Sequence, residues 1–210
     1  MQQDALYPAR LSVDYPERDL NRLTTFFRLF AAIPILIILG SVSGETWQWS
    51  TDKGTAAAAS AGGLLFFGPL LMILFRQKYP RWWFDFNLQL ARFSTRVSSY
   101  LALMSDRYPS TDEEQSVHLD VDYPNVKQDL NRWMPLVKWF LAIPHYVALV
   151  ILFIAAFFAV LFAWFAILFT GRYPRSLFDF VEGVQRWGLR VQAYALLLVT
   201  DRYPPFRLAA

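Results

Sequence analysis

The chain has 210 residues, of which 55% are hydrophobic and 18% aromatic, and its net charge is +3. It contains no cysteine, which excludes disulfides, thiolate metal sites and thiol nucleophiles. Its basic residues are interleaved with apolar ones, a pattern that does not favour nucleic-acid binding. A basic and strongly apolar chain suits an anionic lipid surface. Composition therefore predicts a membrane protein with anionic lipids as partners and no nucleic-acid partner.

Several short motifs occur twice in the chain and in the same order. The matched pairs are Val13-Asp14-Tyr15-Pro16 with 121–124, Asp19-Leu20-Asn21-Arg22 with 129–132, Ala32-Ile33-Pro34 with 142–144, Lys78-Tyr79-Pro80-Arg81 with 172–175, Phe84-Asp85-Phe86 with 178–180, and Asp106-Arg107-Tyr108-Pro109 with 201–204. This order predicts a tandem duplication, with a first repeat at 1–111 and a second at 112–210.

Each repeat opens with a segment in which apolar and polar residues alternate, at 11–15 and again at 117–121. A period of two predicts a short β-strand. Because a lone strand is unstable, the two equivalent strands could pair with each other. The polar stretch 110–116 is the linker between the repeats.

A charge-free apolar block follows in each repeat, at 54–75 and 139–171. Blocks longer than about 18 residues are typical of membrane-crossing segments. As a single helix, 133–170 would be about 57 Å long, nearly twice the hydrocarbon thickness of a bilayer. We therefore predict a helical hairpin over 133–170 that turns near Ala155-Ala156, although shallow or re-entrant legs also fit. The first repeat has a similar hairpin with a longer, Gly- and Ser-rich external loop at 40–55.

Each hairpin leads into an amphipathic stretch, at 82–104 and at 176–199. In the second stretch, Asp179, Glu182, Arg186 and Arg190 form one polar stripe at helical spacing. These stretches predict helices that lie in the interface plane. The alternative is that each stripe packs on the other half and pairs its own charges. At the start of each first leg, Arg28 and Lys138 are predicted to snorkel towards the headgroups.

Arginines of the amphipathic stretches are the best candidates for a functional site, because guanidinium groups match phosphate oxygens. The same basic rim could instead dock an acidic partner. The candidate lipid-headgroup or partner contacts are Arg81, Arg92, Arg96, Arg175, Arg186 and Arg190.

No catalytic, cofactor or metal site is predicted. The histidines, His118 and His145, do not occupy matching places, and a metal site needs three or four converging ligands. No Gly-rich phosphate loop occurs. Asp106 and Asp201 each neighbour an arginine rather than a nucleophile. We therefore expect a protein that is not an enzyme.

Basic residues also predict the orientation. Of 20 lysines and arginines, only Lys53 lies in a loop that joins two legs, so the positive-inside rule places both termini in the cytoplasm. The first 20 residues are polar and predict no cleavable signal peptide. The expected fold is a mainly α, multi-pass membrane protein. Each half has a short strand, a hydrophobic hairpin and an amphipathic interfacial helix, and the halves are parallel repeats about a pseudo-two-fold axis.

With these motifs in view, the chain resembles a bacterial, often actinobacterial, family of membrane proteins of unknown function. Its members repeat Val-Asp-Tyr-Pro, Leu-Asn-Arg-Trp, Ala-Ile-Pro-His, Gly-Arg-Tyr-Pro-Arg, Phe-Asp-Phe and Asp-Arg-Tyr-Pro. The second half matches closely, as at Ile143-Pro144-His145, whereas the first half departs at Ile35 and at Arg76-Gln77-Lys78. The resemblance implies a membrane protein of the bacterial envelope, and it implies no activity, substrate or cofactor. We expect the protein in the bacterial inner membrane.

Two function hypotheses follow. The first is a non-enzymatic accessory or scaffolding subunit of a larger bacterial envelope complex. The second is a lipid-binding or lipid-transport protein that uses the paired arginine stripes on its cytoplasmic face. An enzyme acting on lipids is a distant third.

Overall fold

The computed structural model describes residues 7–43, 67–111, 113 and 115–209. The protein is mainly helical, as predicted, with one small sheet. In chain order the elements are β1 (Ala9–Val13), α1 (Arg22–Phe26), α2 (Arg28–Ser43), a π-helix (Met72–Arg76), α3 (Arg81–Leu101), β2 (Val117–Val121), α4 (Val126–Asp129), α5 (Met134–Leu141), α6 (Ile143–Thr170) and α7 (Arg175–Ala195).

The two predicted strands are present and pair with each other. β1 and β2 run antiparallel, with Leu11 opposite Leu119 at the centre of the ladder. Each strand buries its apolar residues and exposes its polar ones in strict alternation. Leu11 and Leu119 both stand two residues before a Val-Asp-Tyr-Pro motif. The central pair of the sheet is therefore made by matching residues of the two motif copies.

The amphipathic helices form the layer beneath the sheet. β1 packs on α7 and β2 packs on α3, so each strand lies against the helix of the other half of the chain. On the far side of this layer, α2 packs on α3 and α6 packs on α7. The order of layers is thus the sheet, then α3 and α7, then α2 and α6.

The structure contradicts the helical hairpin predicted over 133–170. The short helix α5 is followed by α6, which continues without a break through Ala155 and Ala156. No glycine, proline or asparagine occurs between Pro144 and Gly171, and alanine is the best helix former, so nothing in this stretch favours a turn. At about 1.5 Å per residue, α6 is about 42 Å long.

Gly171 ends α6 in a left-handed conformation, with φ of 78°, and its N–H donates to Ile167 O at 2.8 Å. A glycine adopts this conformation without strain. The short connection 171–174 then leads into α7. Consequently α6 and α7 are neighbouring helices that run in opposite directions.

Within the described ranges, one helix, Ile143–Thr170, is long and apolar enough to cross a membrane. Two shorter apolar helices, Arg28–Gly40 and Phe67–Arg76, accompany it. The predicted external loop at 40–55 lies mostly outside the described residues. Its first positions are not loop, because α2 continues to Ser43.

Candidate functional site

Arg92 and Arg186 occupy matching places on α3 and α7, and each binds a strand of the other half. Arg92 Nε donates to Leu119 O at 2.9 Å, and Arg186 Nε donates to Leu11 O at 2.9 Å. Asp14 N donates to Ser116 O, so Asp14 and Ser116 form a hydrogen-bonded pair. Hydrogen-bonded and non-hydrogen-bonded pairs alternate along an antiparallel ladder, which makes Leu11 and Leu119 a non-hydrogen-bonded pair. Their carbonyls therefore point to the open edges of the sheet. The arginines satisfy edge groups that would otherwise lack partners.

Carboxylates complete both edge contacts. Glu182 accepts from Val13 N at 3.2 Å and forms an ion pair with Arg186 one turn along α7. On the other side, Arg92 pairs with Asp120 at 2.9 Å. The middle of each polar stripe therefore binds the strand of the other half and pairs its own charges, as in the second of the two arrangements considered from the sequence.

Arg96 and Arg190 are both buried and hold the segments that follow each helix. Arg96 donates to Ser110 O at 2.9 Å. Arg190 donates to Arg207 O at 3.2 Å and to Ala209 O at 2.7 Å. Burial, with the nearby charges of Arg207 and Arg186, lowers the pKa of the Arg190 guanidinium. These side chains face carbonyl groups of the protein itself.

Arg81 and Arg175 are exposed at the first position of α3 and α7. Arg81 lies 4.9 Å from the ring centre of Tyr123, and Arg175 lies 4.5 Å from that of Tyr15. Arg175 also pairs with Asp179 at 3.1 Å. Of the six predicted arginines, these two remain open to an external anion, and the other four lie inside the fold or at the sheet edge.

The tyrosines beneath these arginines join the two halves. The Tyr15 hydroxyl donates to Tyr173 O, and the Tyr123 hydroxyl donates to Tyr79 O. Each contact links the Val-Asp-Tyr-Pro motif of one half to the Tyr-Pro-Arg motif of the other. The repeated Tyr-Pro elements are therefore contact points between the halves.

The prediction that Arg28 and Lys138 snorkel to the headgroups is wrong. Both side chains are buried, Arg28 in an ion pair with Asp106 and Lys138 with Asp201 at 2.7 Å. The same aspartates accept from Asn21 N at 2.7 Å and Asn131 N at 2.6 Å. For Arg28 and Lys138, the attraction to a carboxylate that is already held in place outweighs the favourable hydration that their charges would have at the surface. Asp106 and Asp201 recur in the Asp-Arg-Tyr-Pro motif, and a basic residue stands at the matching positions 28 and 138. This recurrence was the sequence signal for the pairing.

His145 is a buried structural histidine. Its Nδ1 accepts from Trp187 Nε1 at 3.1 Å, and its ring stacks on Phe206 at 4.0 Å between centres. In the first half, Ile35 and Phe93 hold the matching places and pack in an apolar cluster. Across the described part of the chain, no three His, Asp or Glu side chains converge as a metal site.

An uncharged groove of about 650 Å³ lies between α3, α6 and α7. Ser94 and Thr95 both donate their hydroxyls to Ala91 O, and Ser98 donates to Thr95 O. Gln185 is bonded to Ser99 at 3.0 Å. Because these polar groups already have partners, the groove presents mainly hydrocarbon surface to any occupant.

In the part of the chain that the structure describes, these contacts define a mainly helical protein that has a two-stranded sheet and one helix long enough to cross a membrane. Residues 132–207 match a family described as a domain of unknown function (DUF4389). The match lies in the second half and agrees with the resemblance to a family of unknown function. No curated protein and no solved structure matches the chain.

Proposed function

We propose that the protein is a non-enzymatic integral membrane protein of the bacterial inner membrane. It serves as an accessory or scaffolding subunit of a larger envelope complex, and both termini lie in the cytoplasm. The observation that carries this proposal is the way its charged side chains are used. They fasten the two halves to each other, and they leave two broad outer surfaces of opposite character.

One outer surface is apolar and the other is charged. Along α6, large apolar side chains such as Phe157, Phe162 and Phe169 are more than half exposed. The outer face of the sheet carries Arg10 and Asp122, paired at 2.8 Å. A rigid body with one face suited to lipid and another suited to water is what an adaptor between membrane and partner needs.

The proposal includes two tandem repeats related by a pseudo-two-fold axis between Leu11 and Leu119. Matching contacts support this symmetry. Arg10 pairs with Asp122, and His118 pairs with Asp14 at 3.0 Å in the equivalent place. The arginine–carbonyl, tyrosine–carbonyl and buried ion-pair contacts described above also occur once in each half. Because each strand packs on the amphipathic helix of the other half, neither half is complete without the other, which suits a rigid scaffold.

Purification of the tagged full chain from native membranes in mild detergent tests the scaffold proposal. Photo-crosslinking residues at Ser12 on the sheet and Phe157 on α6 report what each face touches, and a buried position, Tyr173, is the matched control. A stoichiometric protein partner crosslinked from Ser12 or Phe157 supports the proposal. Recovery of the chain with no protein partner at either position contradicts it.

Lipid binding is the second candidate, favoured by the uncharged groove between α3, α6 and α7. Its 650 Å³ lies within the usual range for small-molecule sites. Arg81 and Arg175 are the candidates for headgroup contacts. A stoichiometric lipid that copurifies without a protein partner, and is lost when Gly188 at the groove is replaced by Leu, would favour this function over scaffolding.

A further inference from the structure

We infer that α6 lies parallel to the membrane plane within one leaflet and does not cross the bilayer. The partner of its outer face is then the lipid of a single leaflet, in place of the multi-pass arrangement that the sequence predicts. The inference rests on the proposed membrane embedding and on the proposed pseudo-two-fold axis.

The direction of the axis follows from the layers. At one end of the axis lies the sheet, whose outer side exposes Arg10, Ser12, His118 and Asp120. At the opposite end lies α6, with its exposed phenylalanines. The axis therefore runs from a water-compatible surface to a lipid-compatible one, and this is the direction of the membrane normal.

Both ends of α6 approach equivalent segments of the two halves. Its first end follows α5 directly, and Leu141 O accepts from Tyr203 in the second half. Its last end meets segment 20–25 of the first half, which is equivalent to 130–135 at the start of α5: Leu20 N donates to Gly171 O at 2.8 Å, and Trp164 Nε1 donates to Thr25 O at 3.3 Å. A two-fold rotation leaves height unchanged, so equivalent segments share one depth. The stretch from 130–135 through α5 and α6 therefore starts and ends at one depth, as a long helix that lies across the axis requires.

The contacts of α7 give the same answer independently. Glu182 and Arg186 face β1, whereas Trp187 and Val191 contact the first turns of α6. At about 100° per residue, these two faces of α7 are about 140° apart. The sheet and α6 therefore lie on opposite sides of α7. The direction from the charged sheet to the apolar surface of α6 is thus perpendicular to the helix axes rather than parallel to them.

A crossing helix would conflict with the exposed charges of the sheet. Arg132 precedes α5, and Arg172, whose side chain is 78% exposed, follows α6. In the in-plane arrangement both lie at the same headgroup level, where arginine is favourable. In the crossing arrangement the sheet, with its exposed aspartates, would be turned sideways into the lipid, where charged side chains are costly.

Cysteine accessibility in the full chain tests the inference, since the natural chain has no cysteine. Single variants Ser12→Cys, Arg132→Cys and Ser176→Cys place a thiol on the sheet, just before α5, and just after the last end of α6. A membrane-impermeant maleimide should label all three from the same side of sealed vesicles. The matched control Phe158→Cys, on the exposed face of α6, should label only after detergent is added. Labelling of Arg132→Cys and Ser176→Cys from opposite sides would overturn the inference.

Depth measurements give a second readout. Fluorophores on Val150→Cys and Phe165→Cys are separated by about 22 Å along α6. Lipids with a quencher at a defined acyl carbon should quench both equally if α6 lies in the plane. A large difference in quenching depth overturns the inference, and so does shielding of both probes by a second chain.

Alkaline carbonate washing separates this inference from the proposed embedding. If the chain is released and Phe158→Cys labels freely, the membrane embedding itself is wrong. If the chain stays in the membrane but its ends label from opposite sides, only the in-plane arrangement is wrong.

Discussion

Arg186 and Arg175 lie on the same helix, but Arg186 is largely buried and Arg175 is exposed. Replacing each with glutamine therefore makes the same chemical change in two different environments. Arg186 binds Leu11 O at 2.9 Å and Leu208 O at 3.1 Å and pairs with Glu182, and both partners of that pair are 13% exposed. Arg175 is 66% exposed and pairs with Asp179 at 3.1 Å. We expect Arg186→Gln to destabilise the fold and Arg175→Gln to leave it nearly unchanged.

The magnitude follows from these contacts. Hydrogen bonds to a charged group contribute about 1.5–3 kcal/mol each, and stranding one partner of a largely buried ion pair costs about 3–5 kcal/mol. Because the contacts share one side chain, their contributions do not add, and we expect a loss of about 3–5 kcal/mol for Arg186→Gln. The exposed pair at Arg175 contributes about 0–1 kcal/mol.

Denaturant unfolding in detergent micelles measures the first quantity. Vesicle binding at several salt concentrations measures affinity for anionic lipid, to which each interfacial basic residue contributes about 1 kcal/mol. Arg175→Gln should weaken lipid binding without loss of stability. Arg186→Gln should lower the stability, and its lipid affinity per folded molecule should stay unchanged. Equal stability of the two variants, or a loss of lipid affinity confined to Arg186→Gln, would refute the assignment of Arg186 to the interior.

Three further outcomes are expected. Asp201→Asn should lower the free energy of unfolding by about 3–5 kcal/mol, because it leaves the fully buried Lys138 ammonium without its partner. Adding Lys138→Met should restore most of this loss, and no restoration in the double variant would contradict the pairing. Leu119→Ala, at the centre of the sheet, should cost about 2–5 kcal/mol by leaving a cavity, and a cost under 1 kcal/mol would show that the site is not packed. Burial raises the pKa of the Tyr79 phenol from 10.0 to about 12, so its contribution to stability should be complete below pH 10 and lost as the pH rises through about 12. Ultraviolet titration that shows Tyr79 ionising near pH 10 in the folded chain would contradict this.

The candidate site was only partly predictable. Helical spacing identified Arg92, Arg96, Arg186 and Arg190 as one face of each amphipathic helix, because the helical period alone determines which side chains share a face. It gave no sign that this face meets the strand of the other half. A sequence does not show which strand carbonyls lack a partner in the sheet, and these carbonyls require donors, which determines where the arginines point.

Local pattern determined the strands, the amphipathic helices and the matching of Leu11 with Leu119 through the repeated motif. Each depends on a short-range period or on the direct comparison of two segments. Tertiary structure decided the rest. It made 143–170 one helix, because packing along α7 stabilises a helix that no residue interrupts. It also placed Lys138 inside, because Asp201, distant in sequence, supplies the charge that a buried ammonium group requires.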